Sequence, residues 1–101
     1  MWEAAVAAGY FSGSPADARD GFIHFSTSAQ VRDTAAKHFA GVPDLVLVAV
    51  PETAVRDALR WEPSRGGDLF PHLYDRLQVA AVSWMKPLPL DADGRHVFPV
   101  L

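Results

Sequence analysis

Cysteine is absent from this 101-residue chain, which excludes disulfides, thiolate nucleophiles and thiolate metal sites. That usage fits a reducing compartment, and the expected localisation is cytoplasmic. No apolar run approaches the roughly 20 residues that a bilayer-spanning helix needs. The N-terminus opens on Glu3 and alanines rather than on a basic segment before an apolar one, so no signal peptide is read. Positive charge is scarce, with Lys+Arg at 9 against Asp+Glu at 12 and a net charge of −3. Neither duplex nucleic acid nor a membrane surface is an expected partner of such a balance. A small anion held by one or two arginines stays open. His24, His38, His72 and His96 include no His-x-His or His-x-x-x-His pair, so no preorganised metal site is expected. A Gly-x-Ser-x-Gly elbow is also missing, which disfavours a serine hydrolase.

What is present is an apolar half of the composition, enough for one domain around one core, spanning residues 1–101. Trp2 to Ala8 reads as a helix closed by Gly9 in the left-handed cap position. Tyr10 to Asp20 reads as a loop on its Gly, Ser, Pro and Asp content, and Phe22 to Phe25 as a short strand. Thr27 and Gln30 match a capping box. The helix behind it is expected to run to about Phe39, with Val31, Ala35 and Phe39 on its buried stripe and Gly41 closing it. Leu45 to Val50 is continuously apolar and valine-rich, predicting a central strand covered on both faces, in the same sheet as Phe22–Phe25. Pro51 starts a helical segment through Leu59, and Arg60–Glu62 reads as a brief strand. Phe70 to Leu77 is expected to be irregular, because Pro71 cannot donate to a central ladder. Val79–Met85 and Arg95–Phe98 complete the strands. The class is α+β, one small domain with a mixed or antiparallel sheet and flanking helices.

Two stretches carry the chemistry: Asp20-Gly-Phe-Ile-His-Phe-Ser-Thr27, and Arg60-Trp-Glu62 followed by Leu69-Phe-Pro-His-Leu-Tyr74. Together with Ala81-Val-Ser-Trp84 they resemble the bacterial domain-of-unknown-function family 952 over nearly the whole chain. Ile23-His-Phe-Ser26 before a capped helix is also similar to the His-x-His-Leu-Ser segment of the RNA 2′-phosphotransferases, with Phe22 where that motif has its first histidine. This likeness implies an ADP-ribosyltransferase-like fold and NAD as a candidate substrate. Family members usually place a short strand ahead of the Trp-Glu-Ala-Ala helix, so a first strand is expected to be missing here. An open sheet edge of that kind favours association.

The candidate residues each carry two readings. His24 orients a ribose or phosphate oxygen, or acts as acid or base; otherwise it is a half-buried histidine satisfied by backbone. Ser26 lies at a helix start that favours anions, while Thr27 is the cap. Glu62 stabilises positive charge developing at a ribose, or else forms a salt bridge with Arg60 or Arg65. Arg65 clamps a phosphate beside Gly66 and Gly67, or sits in an ordinary turn. Phe70, His72 and Tyr74 alternate and share a face in extended backbone, stacking a flat ring or joining the core. The catalytic candidates are Glu62 and His72, the latter read with Arg65 as lying outside the core. The ligand-binding candidates are His24, Ser26, Arg65 and Tyr74. The expected function is binding of a small anionic nucleotide such as NAD, with transfer or hydrolysis of ADP-ribose. The alternatives are a binding module without turnover and an interaction domain without a small ligand.

Overall fold

The computed structural model describes residues 1–101 except the side chain of Arg65. The chain runs α1 (Trp2–Ala8), β1 (Tyr10–Phe11), α2 (Pro15–Asp20), β2 (Ile23–His24), α3 (Val31–His38), β3 (Leu45–Ala49) and α4 (Glu52–Val55). It continues through β4 (Leu59–Pro63), β5 (Leu69–Leu73), β6 (Leu77–Gln78) and β7 (Trp84–Leu88). Every pairing is antiparallel, in one three-stranded sheet ordered β2-β5-β4 and two pairs, β1-β6 and β3-β7. No helix among the described residues is long and apolar enough to cross a membrane.

Helix α1 ends as its sequence dictates. Gly9 takes φ 88° and returns its N–H to the Ala5 carbonyl, a conformation that costs glycine little. The Thr27–Gln30 box also forms, with Gln30 N–H on Thr27 Oγ1 at 3.2 Å and Thr27 N–H on Gln30 Oε1 at 3.1 Å. The helix proper starts at Val31 and ends at His38, with Ala35 buried but Phe39 43 % exposed. Phe39 therefore caps the helix rather than filling the core.

Several expectations are corrected. Tyr10 to Asp20 is not a loop: it holds β1 and α2, the latter opened by a second capping box in which Ser14 and Asp17 satisfy each other's N–H. Leu45 to Val50 is neither central nor in the sheet of β2. Its strand pairs β7 alone and none of its residues is buried. The segment after Pro51 is one short α turn and a 3-10 turn over Arg56–Ala58, giving way to β4 at Leu59. Val79–Ala81 is a 3-10 turn, so β7 begins only at Trp84. The segment Arg95–Phe98 contributes only the isolated bridge Leu90↔His96.

Pro71 is the most instructive correction, because β5 is the middle strand. In an antiparallel strand the N–H and C=O of one residue point to the same neighbour. The Pro71 carbonyl accepts from Phe25 N–H at 3.0 Å, so its missing donor also faces β2, just where that two-residue strand ends. On the β4 side the bonds fall on alternate residues, with Ser64 N–H to Asp68 O and Tyr74 N–H to Ala58 O bracketing the ladder. The proline costs the sheet one bond, the return donation to the Phe25 carbonyl at the end of the β2 ladder, and none on the β4 side.

The same alternation sorts the side chains. Ile23 and Leu73 point to the back of the sheet, where with Leu77 they form the buried cluster. Trp2, Phe11, Phe25, Val55 and Leu59 pack around it. His24, Glu62, His72 and Tyr74 point to the front.

Candidate functional site

The front face is built from the register. His24 stands opposite His72 across β2 and β5, and Glu62 opposite Phe70 across β4 and β5. Residues two apart on β5 project together, which places Phe70, His72 and Tyr74 in one row. Phe22 lies over this row, stacked on the His72 imidazole at 4.1 Å and 17° and 5.2 Å from the Tyr74 ring. The His24 and His72 rings meet edge to face at 5.5 Å.

Glu62 is the hub. Its Oε1 accepts from His72 Nδ1 at 2.8 Å and from the Tyr74 hydroxyl at 2.7 Å. The bond from Tyr74, then that from His72, holds the Glu62 carboxyl below the ordinary carboxylate range. Reciprocally, donation to Glu62 pushes the Tyr74 phenol above its usual value. Because Nδ1 donates to a carboxylate, Nε2 is the acceptor nitrogen of the neutral ring. That Nε2 is buried and has no hydrogen-bond partner among the described residues. His72 is only 5 % exposed, which corrects its placement outside the core. Buried polar atoms are nearly always paired, and among the described residues only Trp2 Nε1 shares this unpartnered state.

The Glu62 bonds set a pH dependence. A carboxyl lowered in the fold stabilises it above its unfolded pKa, and this support is lost as pH falls through the folded value. A phenol raised in the fold gives support below its ordinary range, lost as pH rises through the raised value. Glu62→Gln is expected to shallow the acid limb of stability against pH, measured by urea midpoints, while leaving the midpoint near neutrality the least pH-sensitive.

His24 is held from the other side. Its backbone N–H and Nδ1 both meet Asp17 Oδ1, at 3.2 and 2.6 Å. Its Nε2 faces Asp20 Oδ2 at 3.0 Å. Both carboxylate contacts are hydrogen bonds at once only when both ring nitrogens carry protons. The Asp20 carboxyl lies below its ordinary value, chiefly through the Arg19 hydrogen bond with His24 adding to it. His24 is thus not satisfied by backbone: its ring is clasped by two acids.

The structure brings His24, Glu62, His72 and Tyr74 together. Ser26 instead bonds the Thr34 hydroxyl at 3.0 Å. The side chain of Arg65, expected to clamp phosphate, lies outside the described residues. Of the salt bridges expected for Glu62, with Arg60 or Arg65, the first is not formed, since the Arg60 guanidinium lies over the Tyr74 ring at 5.2 Å, and the second falls on the Arg65 side chain, outside the described residues. Phe70 is buried while Tyr74 is 42 % exposed, so the row spans core and surface. Asp17, Asp20 and Phe22 were not read as site residues. For Asp17 a signal existed, because Ser14-x-x-Asp17 with Pro15 at the first helical position is itself a capping pattern. No group of three or more His, Asp or Glu among the described residues is arranged to hold a metal ion.

Among curated proteins none matches this chain. The X-ray structure of protein CC0527 from Caulobacter crescentus is similar, at 50% identity and a TM-score of 0.90 over 95% of this chain and 84% of that one. The solution NMR structure of CC0527 matches at 51% identity and a TM-score of 0.83, over 93% of this chain and 81% of that one. The family described as "Protein of unknown function (DUF952)" matches residues 1–85, and the chain belongs to that family.

Proposed function

We propose that the front face of the β2-β5-β4 sheet binds a nucleotide of the NAD class and performs acid–base chemistry on it. The observation that carries this reading is the pairing of Glu62 with a buried His72 whose Nε2 is unpartnered. A carboxylate that fixes one imidazole nitrogen leaves the other free to take a proton. The stack of Phe22 on His72 is the contact a nicotinamide or base ring makes with an aromatic platform. In ADP-ribose chemistry the glycosidic bond to nicotinamide breaks with its electron pair leaving on the nicotinamide nitrogen. Water or a hydroxyl then attacks the ribose carbon and passes its proton to His72 Nε2, a transfer that requires the Phe22 ring to move off the buried imidazole. Glu62 supports the positive charge that develops before attack. His24 and Tyr74, both on the exposed rim, orient ribose or phosphate oxygens.

A binding module without turnover is the second reading, favoured by Glu62 Oε1 being already occupied by two donors. Titration of the 15N-labelled protein with NAD, ADP-ribose and AMP separates the readings. Localised shifts at residues 22–24, 60–62 and 72–74 are expected. The fold should gain about 2.7 kcal/mol when ligand reaches one hundred times its dissociation constant. Nicotinamide release from NAD, lost in Glu62→Gln with binding kept, marks the enzyme; shifts without release mark the module. No localised shift with any of the three ligands overturns both.

A further inference from the structure

We propose that the groove between α3 and the C-terminal segment is a second binding site, for a small phosphate ester with an apolar or aromatic body. The groove is open to solvent along its arginine and alanine walls and measures about 490 Å³, within the size range of small-molecule sites. It shares no residue with the Glu62 face, and its outer wall, Gly94 to Phe98, lies beyond residue 85.

Its walls are preformed. On the helix side Arg32 and Ala36 are one turn apart and face the groove, where the small alanine leaves room. The Arg32 guanidinium rests over the Phe98 ring at 5.4 Å, which fixes the head of an otherwise floppy side chain. On the other side Arg95 projects from a tight turn. Asp91 Oδ1 accepts the N–H of Asp93 at 2.9 Å and of Arg95 at 3.0 Å, and Asp91 N–H returns to the Arg95 carbonyl at 2.8 Å. His96 Nε2 donates to the Val42 carbonyl at 2.9 Å and Val97 N–H to the Pro89 carbonyl at 2.8 Å. These bonds fasten the segment to the body of the fold.

The charge pattern selects the ligand. Among the described residues neither Arg32 nor Arg95 has a carboxylate within 4.0 Å. The nearby Asp91 carboxyl is occupied by its own turn amides, chiefly the Arg95 N–H, which with a weaker attraction from the Arg95 charge hold it below its ordinary value. No acid lines the groove. In a chain of net charge −3, two guanidiniums without ion pairs across one concavity are donors for a phosphate or carboxylate. Ala36, Ala40 and Phe98 supply an apolar floor for the remainder of the ligand. A bare inorganic anion would leave that floor uncovered.

Phenyl phosphate is the probe, with phenol and inorganic phosphate as its separated halves. In 15N spectra it is expected to shift amides at residues 32–40 and 94–98 saturably, at least tenfold more tightly than either half. Arg32→Gln with Arg95→Gln should weaken binding more than tenfold. Ala36→Asp, which sets a carboxylate on an exposed wall one turn from Arg32, should abolish it with both arginines still in place. The inference is overturned by scattered or absent shifts, by equal affinity for phenol, or by unchanged binding in the two variants. Shifts confined to residues 22–24 and 60–74 would overturn it too, placing the anion at the front face instead.

Discussion

Replacing Leu73 by alanine is expected to remove about 3 kcal/mol of folding stability, within the range of about 2–5 measured for buried leucines. Leu73 is 2 % exposed and the most completely buried large side chain among the described residues. It sits in the middle strand, opposite Ile23 on one side and Leu59 on the other. Truncation therefore opens a cavity whose walls belong to three strands and cannot collapse together. A domain of this size holds about 5–15 kcal/mol in all, so the midpoint of thermal unfolding should fall by roughly 10–20 °C. Urea unfolding should show a lower midpoint with an unchanged slope. Leu69→Ala, at the exposed end of the same strand with 51 % exposure, should change stability by no more than about 0.5 kcal/mol. Equal losses from the two variants would mean that the core lies elsewhere.

The legible parts of this fold are those set by neighbours in sequence. Gly9 ends α1 and Thr27–Gln30 opens the next helix because each needs partners only three or four residues away. The row Phe70, His72, Tyr74 was visible for the same reason, since a period of two needs only extended backbone. Strand partnership is a different matter. Leu45–Ala49 reads as buried on both faces because it is apolar throughout, yet its one partner, β7, begins at Trp84. Nothing local in either segment specifies that pairing. The tolerance of Pro71 is equally non-local: it depends on which neighbour its missing N–H faces, and on that neighbour ending there.

The site shows the same division. That Glu62 would meet His72 rather than Arg60 follows from the β4–β5 register, which a hairpin with an intervening turn-rich loop leaves free. The family likeness singled out segments that meet on this face, whereas geometry alone assigns the hydrogen bonds. Asp17 was lost for a plainer reason. A segment dense in Gly, Ser, Pro and Asp looks like a loop, and a short helix with its own capping box has the same composition.

Asp17→Ala is accordingly the second large effect to expect, at about 2–3 kcal/mol, since one carboxylate serves three groups. Oδ2 accepts Ser14 N–H at 2.7 Å and closes the cap of α2, while Oδ1 takes the backbone N–H and Nδ1 of His24; the Asp17 N–H itself rests on Ser14 Oγ. Loss of the reciprocal bond of the capping box costs up to about 1 kcal/mol, and leaving the part-buried His24 donors unpaired adds about 1–2 more. The site is also close-packed: a Cβ at Gly13, which has φ 110°, would come within 2.7 Å of the Asp17 Cβ. Gly13→Ala should therefore destabilise the same unit through backbone strain and contact together. Asp17→Asn separates fold from site. Its amide oxygen can still cap α2, so the urea midpoint should fall by less than half as much as in Asp17→Ala. It no longer offers a charged oxygen to His24, so the 15N resonance of the His24 Nδ1 should move while that of His72, held by Glu62, stays in place. A midpoint loss in Asp17→Asn as large as in Asp17→Ala would show that the carboxylate's bonds to His24, and not the cap, are what fasten α2 to the sheet.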